Sequence, residues 1–179
     1  MQRMKTFAVA VGVMLLAGYG ASAQQATPQK PPAPAAKKPI AAARHVIVAP
    51  DEVKWGPAPP SLPAGSEVAV LEGDPGKAGM FTLRIKMPNG YTVPPHSHPT
   101  DEHVTIISGS LMVGMGSKLD ESAMKSLGAG GYATMPARSN HYVRAKGETI
   151  LQVNGTGPFE VNYVDPKDDP RKKTTTASK

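Results

Sequence analysis

Three histidines and two acidic residues lie within the eight residues 96–103 of a chain that has only five histidines. A polar loop between strands would be the simplest interpretation, but the spacing is also that of metal ligands. Alternate residues of a strand project to the same side, so His96 and His98 would point together, and Glu102 follows closely enough to return to the same point. His141, which follows a turn and opens a strand, is the one distant histidine with suitable surroundings for a third imidazole.

Three neutral imidazoles and one carboxylate form a mixed nitrogen and oxygen donor set, which suits one divalent transition metal: Mn, Fe, Ni, Cu or Zn. The chain has no cysteine, so thiolate ligands are excluded. Four protein ligands on an octahedral ion leave two positions for a substrate or dioxygen. Zinc prefers a closed tetrahedron, so zinc would favour a structural or sensing role, and the metal preference distinguishes the two functions.

The other two histidines are not part of this set. His103 is adjacent to Glu102, and strand alternation sends it to the opposite face, with the role of a substitute ligand as the alternative. His45 is a lone histidine at the start of a strand and is assigned no role. A substrate pocket beside the metal would draw on aromatic, thioether and amide side chains from nearby strands. Which of them point inward depends on strand register, because a slip of one residue reverses the facing; the candidates are Tyr91, Met112, Tyr132, Tyr142 and Gln152.

The ends of the chain differ in composition from its middle. Residues 1–23 have a positive start, a short apolar run and a small-residue site ending at Ala23, which is typical of a secretory signal peptide. We therefore expect a periplasmic or secreted protein that keeps no stable membrane anchor after cleavage. Residues 24–43 are rich in Pro, Ala and Lys and predict a disordered linker, residues 44–166 form one domain, and residues 167–179 predict a polar, basic, disordered tail.

The positive charge of the chain lies outside this domain. The formal net charge is +6, but residues 45–166 carry nine Lys and Arg against twelve Asp and Glu, which gives −3. A folded nucleic-acid-binding domain usually carries its positive patch on its own surface. The sequence therefore argues against nucleic acid as a partner and favours a small molecule.

Short runs of alternating apolar residues, separated by Gly, Pro and Asn turns, predict an all-β sandwich or barrel. The segment 80–87 alternates most clearly, with Phe81, Leu83 and Ile85 on one side. The segment 118–127 is the one good helical candidate, and Ser117 could cap it. A homodimer that pairs sheet edges is a reasonable expectation, because edge strands need covering.

The histidine-rich segment closely resembles the first motif of the cupin superfamily. That motif runs Gly, five residues, His-x-His, three or four residues, Glu, six residues, Gly. Here Gly90, His96, His98, Glu102 and Gly109 have that spacing.

The second cupin motif is matched less completely. It runs Gly, five residues, Pro-x-Gly, two residues, His, three residues, Asn. Gly130, Pro136 and His141 keep the spacing, whereas Arg138 replaces a Gly and Ala145 replaces the Asn. These departures fall on turn and strand positions that do not bind metal.

The resemblance implies a small antiparallel double-sheet jelly-roll barrel with one short helix. It also implies one divalent metal held by the residues that match the motif ligands: His96, His98, Glu102 and His141. An exported, metal-dependent enzyme of the oxygenase type, acting on a small organic molecule, is the first hypothesis. The alternative is a non-catalytic metal or small-ligand binding or sensor module of the cell envelope. The motifs do not identify catalytic residues beyond the metal ligands.

Overall fold

Nine β-strands account for most of the regular structure in the computed structural model, which describes residues 45–173. They form one curled antiparallel sheet with a path β1-β2-β3-β8-β4-β9, while β5 pairs with β6, β7 and β8. This arrangement confirms the predicted all-β jelly-roll barrel. The strands are β1 (Gly56–Pro57), β2 (Glu67–Glu72), β3 (Gly79–Met87), β4 (Thr92–Ser97), β5 (Glu102–Met115), β6 (Lys125–Gly128), β7 (Tyr132–Met135), β8 (His141–Gly157) and β9 (Asn162–Tyr163).

The strand β3 shows why the sheet has an apolar inner face. Phe81, Leu83 and Met87 are buried, whereas the alternate residues face outward and are more accessible. The same period of two holds in β8 and, on either side of a bulge, in β5, so the inward side chains of the three strands meet in one core. Its other members are Tyr91, Val93, Val104, Ile106, Leu111, Val113, Met135, Val143, Ala145, Leu151 and Val153.

The two longest strands, β5 with 14 residues and β8 with 17, bend together and curl the sheet. Their register shifts between Ile106 and Ser110, which marks a bulge. Gly109 has a φ of 77° there, and a Cβ on it would lie 2.2 Å from the carbonyl oxygen of Glu148. The buried hydroxyl of Thr149 completes the bulge, because it accepts from the Ser110 amide at 3.2 Å and donates to the Ser110 carbonyl at 2.9 Å.

The helix predicted over 118–127 is wrong. The segment contains only a 3-10 turn, Glu121–Ala123, followed by β6. Asp120 caps the start of that turn by accepting a hydrogen bond from the Ser122 amide at 2.9 Å, and the chain is extended again at Met124. The segment has few apolar residues to bury as a helix, whereas as a strand it pairs with the edge of β5 and packs Leu127 against the core.

The predicted tail is ordered at its beginning. A short helix, α1 (Pro170–Lys173), follows the buried carboxylate of Asp169, and Arg171 donates a hydrogen bond to the Val161 carbonyl. The disorder predicted from residue 167 onward is therefore wrong as far as residue 173. The predicted signal peptide, the linker up to residue 43, and residues 174–179 lie outside the described residues.

No helix among residues 45–173 combines the length and the apolar character needed to cross a membrane.

Candidate metal centre

The four predicted ligands lie at or next to the ends of three strands, and these ends meet in the structure. His96 lies near the end of β4 and His98 just beyond it, Glu102 begins β5, and His141 begins β8. β4 and β8 are antiparallel neighbours, and His96 is paired directly with His141 across them. Directly opposite residues have side chains on the same face, so the strand register alone places two of the imidazoles side by side.

The three imidazoles form a tight buried cluster. Their ring centroids are 4.2 Å apart for His96 and His141, 5.0 Å for His96 and His98, and 5.2 Å for His98 and His141. One nitrogen from each ring lies within 4.8 Å of the others, which is the spacing of ligands around a single ion. The Oε2 atom of Glu102 is 3.3 Å from the His141 Nε2 and 3.6 Å from the His98 Nε2.

Backbone carbonyls fix the tautomer of all three rings. The Nδ1 atom of His96 is 2.7 Å from the Pro94 oxygen, that of His98 is 2.7 Å from the Glu160 oxygen, and that of His141 is 3.0 Å from the Ser139 oxygen. A carbonyl can only accept, so each Nδ1 carries the proton. The Nε2 atoms are left with free lone pairs, which is the arrangement that metal-binding histidines require.

A metal ion fits this donor set. The Nε2 atom of His98 is buried and has no hydrogen-bond partner, although the ring lies beside a carboxylate. An unpaired buried polar atom is costly, and coordination to a cation would satisfy it. Three imidazole nitrogens suit a divalent transition metal, so the buried group of His96, His98 and His141 is able to bind one. Glu102, which lies close to two of these rings, is the predicted fourth donor.

The electrostatic environment favours the metal-binding protonation states of His96, His98 and Glu102. Burial, together with the neighbouring His141 and His98 rings, lowers the pKa of His96 to about 3. Burial also lowers the pKa of His98. Burial alone would raise the pKa of Glu102, but the contact with His141 and the other imidazoles outweigh it and hold that pKa below its ordinary value. Protons therefore compete weakly with a metal near neutral pH.

The four ligands line a cavity of about 520 Å³ inside the barrel. Apart from the predicted ligands, Ser61 is the one residue among 45–173 that lines the cavity with a polar side chain. The remaining walls are aliphatic, aromatic, thioether, proline or glycine: Pro57, Pro59, Leu62, Val68, Val70, Pro75, Gly76, Leu83, Ile85, Met87, Val93, Val104, Leu111, Met135, Val143, Leu151, Val153, Phe159 and Val161.

The five residues proposed for a substrate pocket do not line this cavity. Met112, Tyr142 and Gln152 each alternate with cavity-lining neighbours and therefore face away from the cavity. Tyr142 packs against Gly114 and donates to the Asp120 carbonyl, and Gln152 accepts from Arg84 on the outer face. The inward orientation predicted for these three side chains is therefore wrong, because each of them lies next to an inward-facing position in its strand.

The other two residues also have different partners. Tyr91 is buried, and its hydroxyl donates to the Pro63 carbonyl at 2.6 Å and accepts from Ser66. Tyr132 is 58% exposed on the outer face, where its hydroxyl is 2.7 Å from the Nδ1 atom of His103. The same contact confirms that His103 points away from the ligands.

Sequence patterns missed two groups that border the metal centre. The ring of Phe159 stacks on His98, with centroids 4.1 Å apart and planes 14° apart. A proline-rich strap, residues 57–63, lines the cavity and is held by tyrosine hydroxyls at Ser61 and Pro63. The run of prolines was a visible signal for an extended crossing, but nothing in its composition indicated that it crosses the cavity.

Comparisons with known proteins agree with this description. The sequence pattern of a domain of unknown function, DUF4437, matches residues 6–162. A search of curated proteins found no significant match.

Among solved structures, an acetylacetone dioxygenase from Acinetobacter johnsonii is 17% identical, with a TM-score of 0.57 over 74% of this chain and 85% of that chain. The polyketide cyclase RemF from Streptomyces resistomycificus is 17% identical, with a TM-score of 0.55 over 75% and 95%. An RmlC-like cupin from Shewanella frigidimarina is 14% identical, with a TM-score of 0.50 over 64% and 91%. At these identities the likeness shows a shared fold and does not choose among activities. The chain therefore belongs to the DUF4437 domain family and has the fold of the cupin superfamily.

Proposed function

We propose that this protein is a metal-dependent enzyme of the oxygenase type that acts on a small, largely apolar organic molecule. The observation that carries the proposal is the cavity wall: in the part of the chain that the structure describes, the one polar side chain beyond the four predicted ligands is that of Ser61. Isomerases and lyases usually need a positioned protein acid or base, and a cavity without one offers little support for such chemistry. A bound divalent metal would supply reactivity toward dioxygen or Lewis acidity.

The charge of the site supports a further feature of the substrate. Three neutral imidazoles and the Glu102 carboxylate around a divalent ion would leave one net positive charge, and no other charged side chain of the described segment 45–173 lines the cavity. An uncompensated charge in an apolar space is costly. A substrate with a monoanionic chelating group, such as an enolate, a phenolate or a carboxylate, and an apolar body would neutralise it. The walls would exclude water and hold the apolar body.

A binding or sensor module of the cell envelope is the second candidate. The Glu102 oxygen lies close to the Nε2 atoms of both His98 and His141, so four protein donors are available to one ion. Zinc bound tetrahedrally by all four would leave no open position. Tight binding of zinc without turnover, with an apolar ligand in the cavity, is the behaviour that this candidate predicts.

We also propose that the protein acts in the periplasm or outside the cell. The proposal is based on residues 1–23, whose positive start, apolar run and small-residue site ending at Ala23 are typical of a cleaved signal peptide. Mass spectrometry of the protein recovered from the periplasmic fraction should give a chain that starts near Gln24. Recovery of the uncleaved chain from the cytoplasm would refute this proposal.

The test of the enzymatic proposal is oxygen consumption by full-length protein loaded separately with Fe(II), Mn(II), Ni(II), Cu(II) or Zn(II). Acetylacetone is a suitable first probe, since it ionises to a chelating enolate and since a dioxygenase with this fold is named for it. A catechol and an apolar carboxylate extend the panel to the other two head groups. His103→Ala is the matched control for His98→Ala, because it removes a neighbouring imidazole that lies on the outer face.

We expect substrate-dependent oxygen uptake with a redox-active metal in the wild type and in His103→Ala, and none in His98→Ala. Stoichiometric zinc with no oxygen uptake on any probe would favour the binding module. Equal uptake by His98→Ala and the wild type would refute both candidates, because each of them depends on the same metal centre.

A further inference from the structure

A salt-bridged arginine at the C-terminal end of the domain reaches back to the segment that borders the metal centre. Arg171 donates through Nη2 to the Val161 carbonyl at 2.9 Å. The same guanidinium donates two hydrogen bonds to the Asp169 carboxylate, from Nε to Oδ1 at 2.8 Å and from Nη2 to Oδ2 at 3.0 Å. Such a two-point contact fixes the orientation of the guanidinium plane. Asp169 is 7% exposed, so the contact is sheltered on the carboxylate side.

The segment that Arg171 holds, residues 159–163, contacts two of the metal ligands. The Glu160 carbonyl accepts the Nδ1 proton of His98 at 2.7 Å, and the Phe159 ring stacks on the same imidazole. Farther along, β9 pairs Tyr163 with His96 across the strands. The Arg171 hydrogen bond enters this segment at Val161, one residue after the carbonyl that orients His98.

We propose that Arg171 is a positioning residue of the metal centre, which acts by fixing residues 159–161 so that the Glu160 carbonyl and the Phe159 ring hold His98 in its ligand orientation. The proposal depends on the metal centre described above, but not on the reaction carried out there. It gives the C-terminal turn, α1, a role in function. Groups that hydrogen-bond to metal ligands and orient them typically contribute 10- to 100-fold to metal affinity.

Three substitutions in the full-length protein test this role. Arg171→Ala removes both contacts. Arg171→Lys keeps the charge but lacks the planar fork, so it cannot hold Asp169 and Val161 in the same geometry. Lys172→Ala is the control, because it removes one positive charge from an exposed neighbour on the same helical turn.

Two measurements separate positioning from general stability. In metal-free protein, long-range proton–nitrogen NMR reports which ring nitrogen of His98 carries the proton, and thermal unfolding is recorded in parallel. In metal-loaded protein, the visible bands of Co(II) give both the Kd and the ligand geometry. We expect Arg171→Ala to change the Nδ1–H form of His98 into a mixture of tautomers. It should raise the Co(II) Kd about tenfold and shift the Co(II) bands, with Arg171→Lys intermediate and Lys172→Ala unchanged.

The proposal is overturned if Arg171→Ala keeps the wild-type His98 tautomer, Kd and band shape, whatever happens to its thermal stability. If Arg171→Ala does not fold, the milder Arg171→Lys variant decides by the same readouts. If the wild type fails to bind Co(II), the proposed function fails, and the tautomer of His98 in the metal-free variants still decides this inference. If the wild type binds Co(II) but shows no oxygen uptake with any probe, the oxygenase proposal fails and this inference is unaffected.

Discussion

Replacing Arg138 by glycine should stabilise the protein. Arg138 stands where the second cupin motif has a glycine, and it is the one non-glycine residue among those described that has a positive φ, 61°. A residue with a Cβ in this left-handed region is strained by about 1–2 kcal/mol. The side chain is exposed, so its removal should cost little, while the backbone amide, which donates to the His98 carbonyl at 2.8 Å, stays in place.

The expected gain is the relieved strain less the larger chain entropy of glycine in the unfolded state. That entropy offsets about 0.4–1 kcal/mol, so Arg138→Gly should raise the free energy of unfolding by about 0.5–1 kcal/mol. For a domain of this size, the gain corresponds to a rise in Tm of about 2–5 °C.

Calorimetry of metal-free wild type, Arg138→Gly and Arg138→Ala measures this gain. Alanine keeps the Cβ and therefore the strain, so Arg138→Ala should unfold close to the wild type. If both variants gain equally, the effect comes from losing the arginine side chain and not from backbone strain. If Arg138→Gly is less stable than the wild type, the strain argument is refuted.

Three other predictions follow from buried groups and from the cavity. Metal-free protein should lose about 2 kcal/mol of stability between pH 7 and pH 5. The unfolded chain binds a proton at His96 near pH 6.5, whereas the folded protein, in which the pKa of His96 is about 3, does not. Urea unfolding at each pH measures the loss. Thr149→Val should cost about 1–3 kcal/mol in urea unfolding, because it leaves both backbone groups of Ser110 without their partner at the bulge. Val70→Trp should slow binding of an apolar ligand with little loss of stability, because Val70 lines the cavity yet is 51% exposed. Stopped-flow mixing of wild type and variant with an environment-sensitive apolar dye measures the rate.

Each of these predictions has a result that would contradict it. A stability that stays flat from pH 7 to pH 5 would mean that His96 is accessible to protons in the folded state. A Thr149→Val variant as stable as the wild type would show that the Ser110 groups find other partners. An unchanged rate of ligand binding in Val70→Trp would place the mouth of the cavity elsewhere. Thr156→Trp is the control, because it adds the same side chain at an exposed position on the outer surface.

The convergence of the three histidines was predictable because its geometry depends on short-range rules. Alternation in a strand relates His96 to His98, and the turn before β8 returns His141 to the neighbouring position. The resemblance to a known motif supplied the rest of the spacing.

The cavity wall was not predictable in the same way. Met112 was expected to face inward, but β5 contains register shifts between Ile106 and Ser110 that reverse its facing, and local pattern does not locate bulges. Gln152 faces outward because β8 keeps the alternation that starts at His141. The helix expected over 118–127 failed because pairing with β5 outweighed local propensity. The contact of Arg171 with Val161 depends on a chain reversal that no periodicity in the sequence reveals. The homodimer stays a prediction.

Metal content after exhaustive dialysis is the most direct test of the central claim, that three imidazoles and one carboxylate bind a single ion. Full-length wild type and His103→Ala should each keep one equivalent of transition metal, whereas His98→Ala and His141→Ala should keep almost none. Circular dichroism of the four proteins should show the same β-rich fold. Full metal content in a folded His98→Ala or His141→Ala variant would contradict the account.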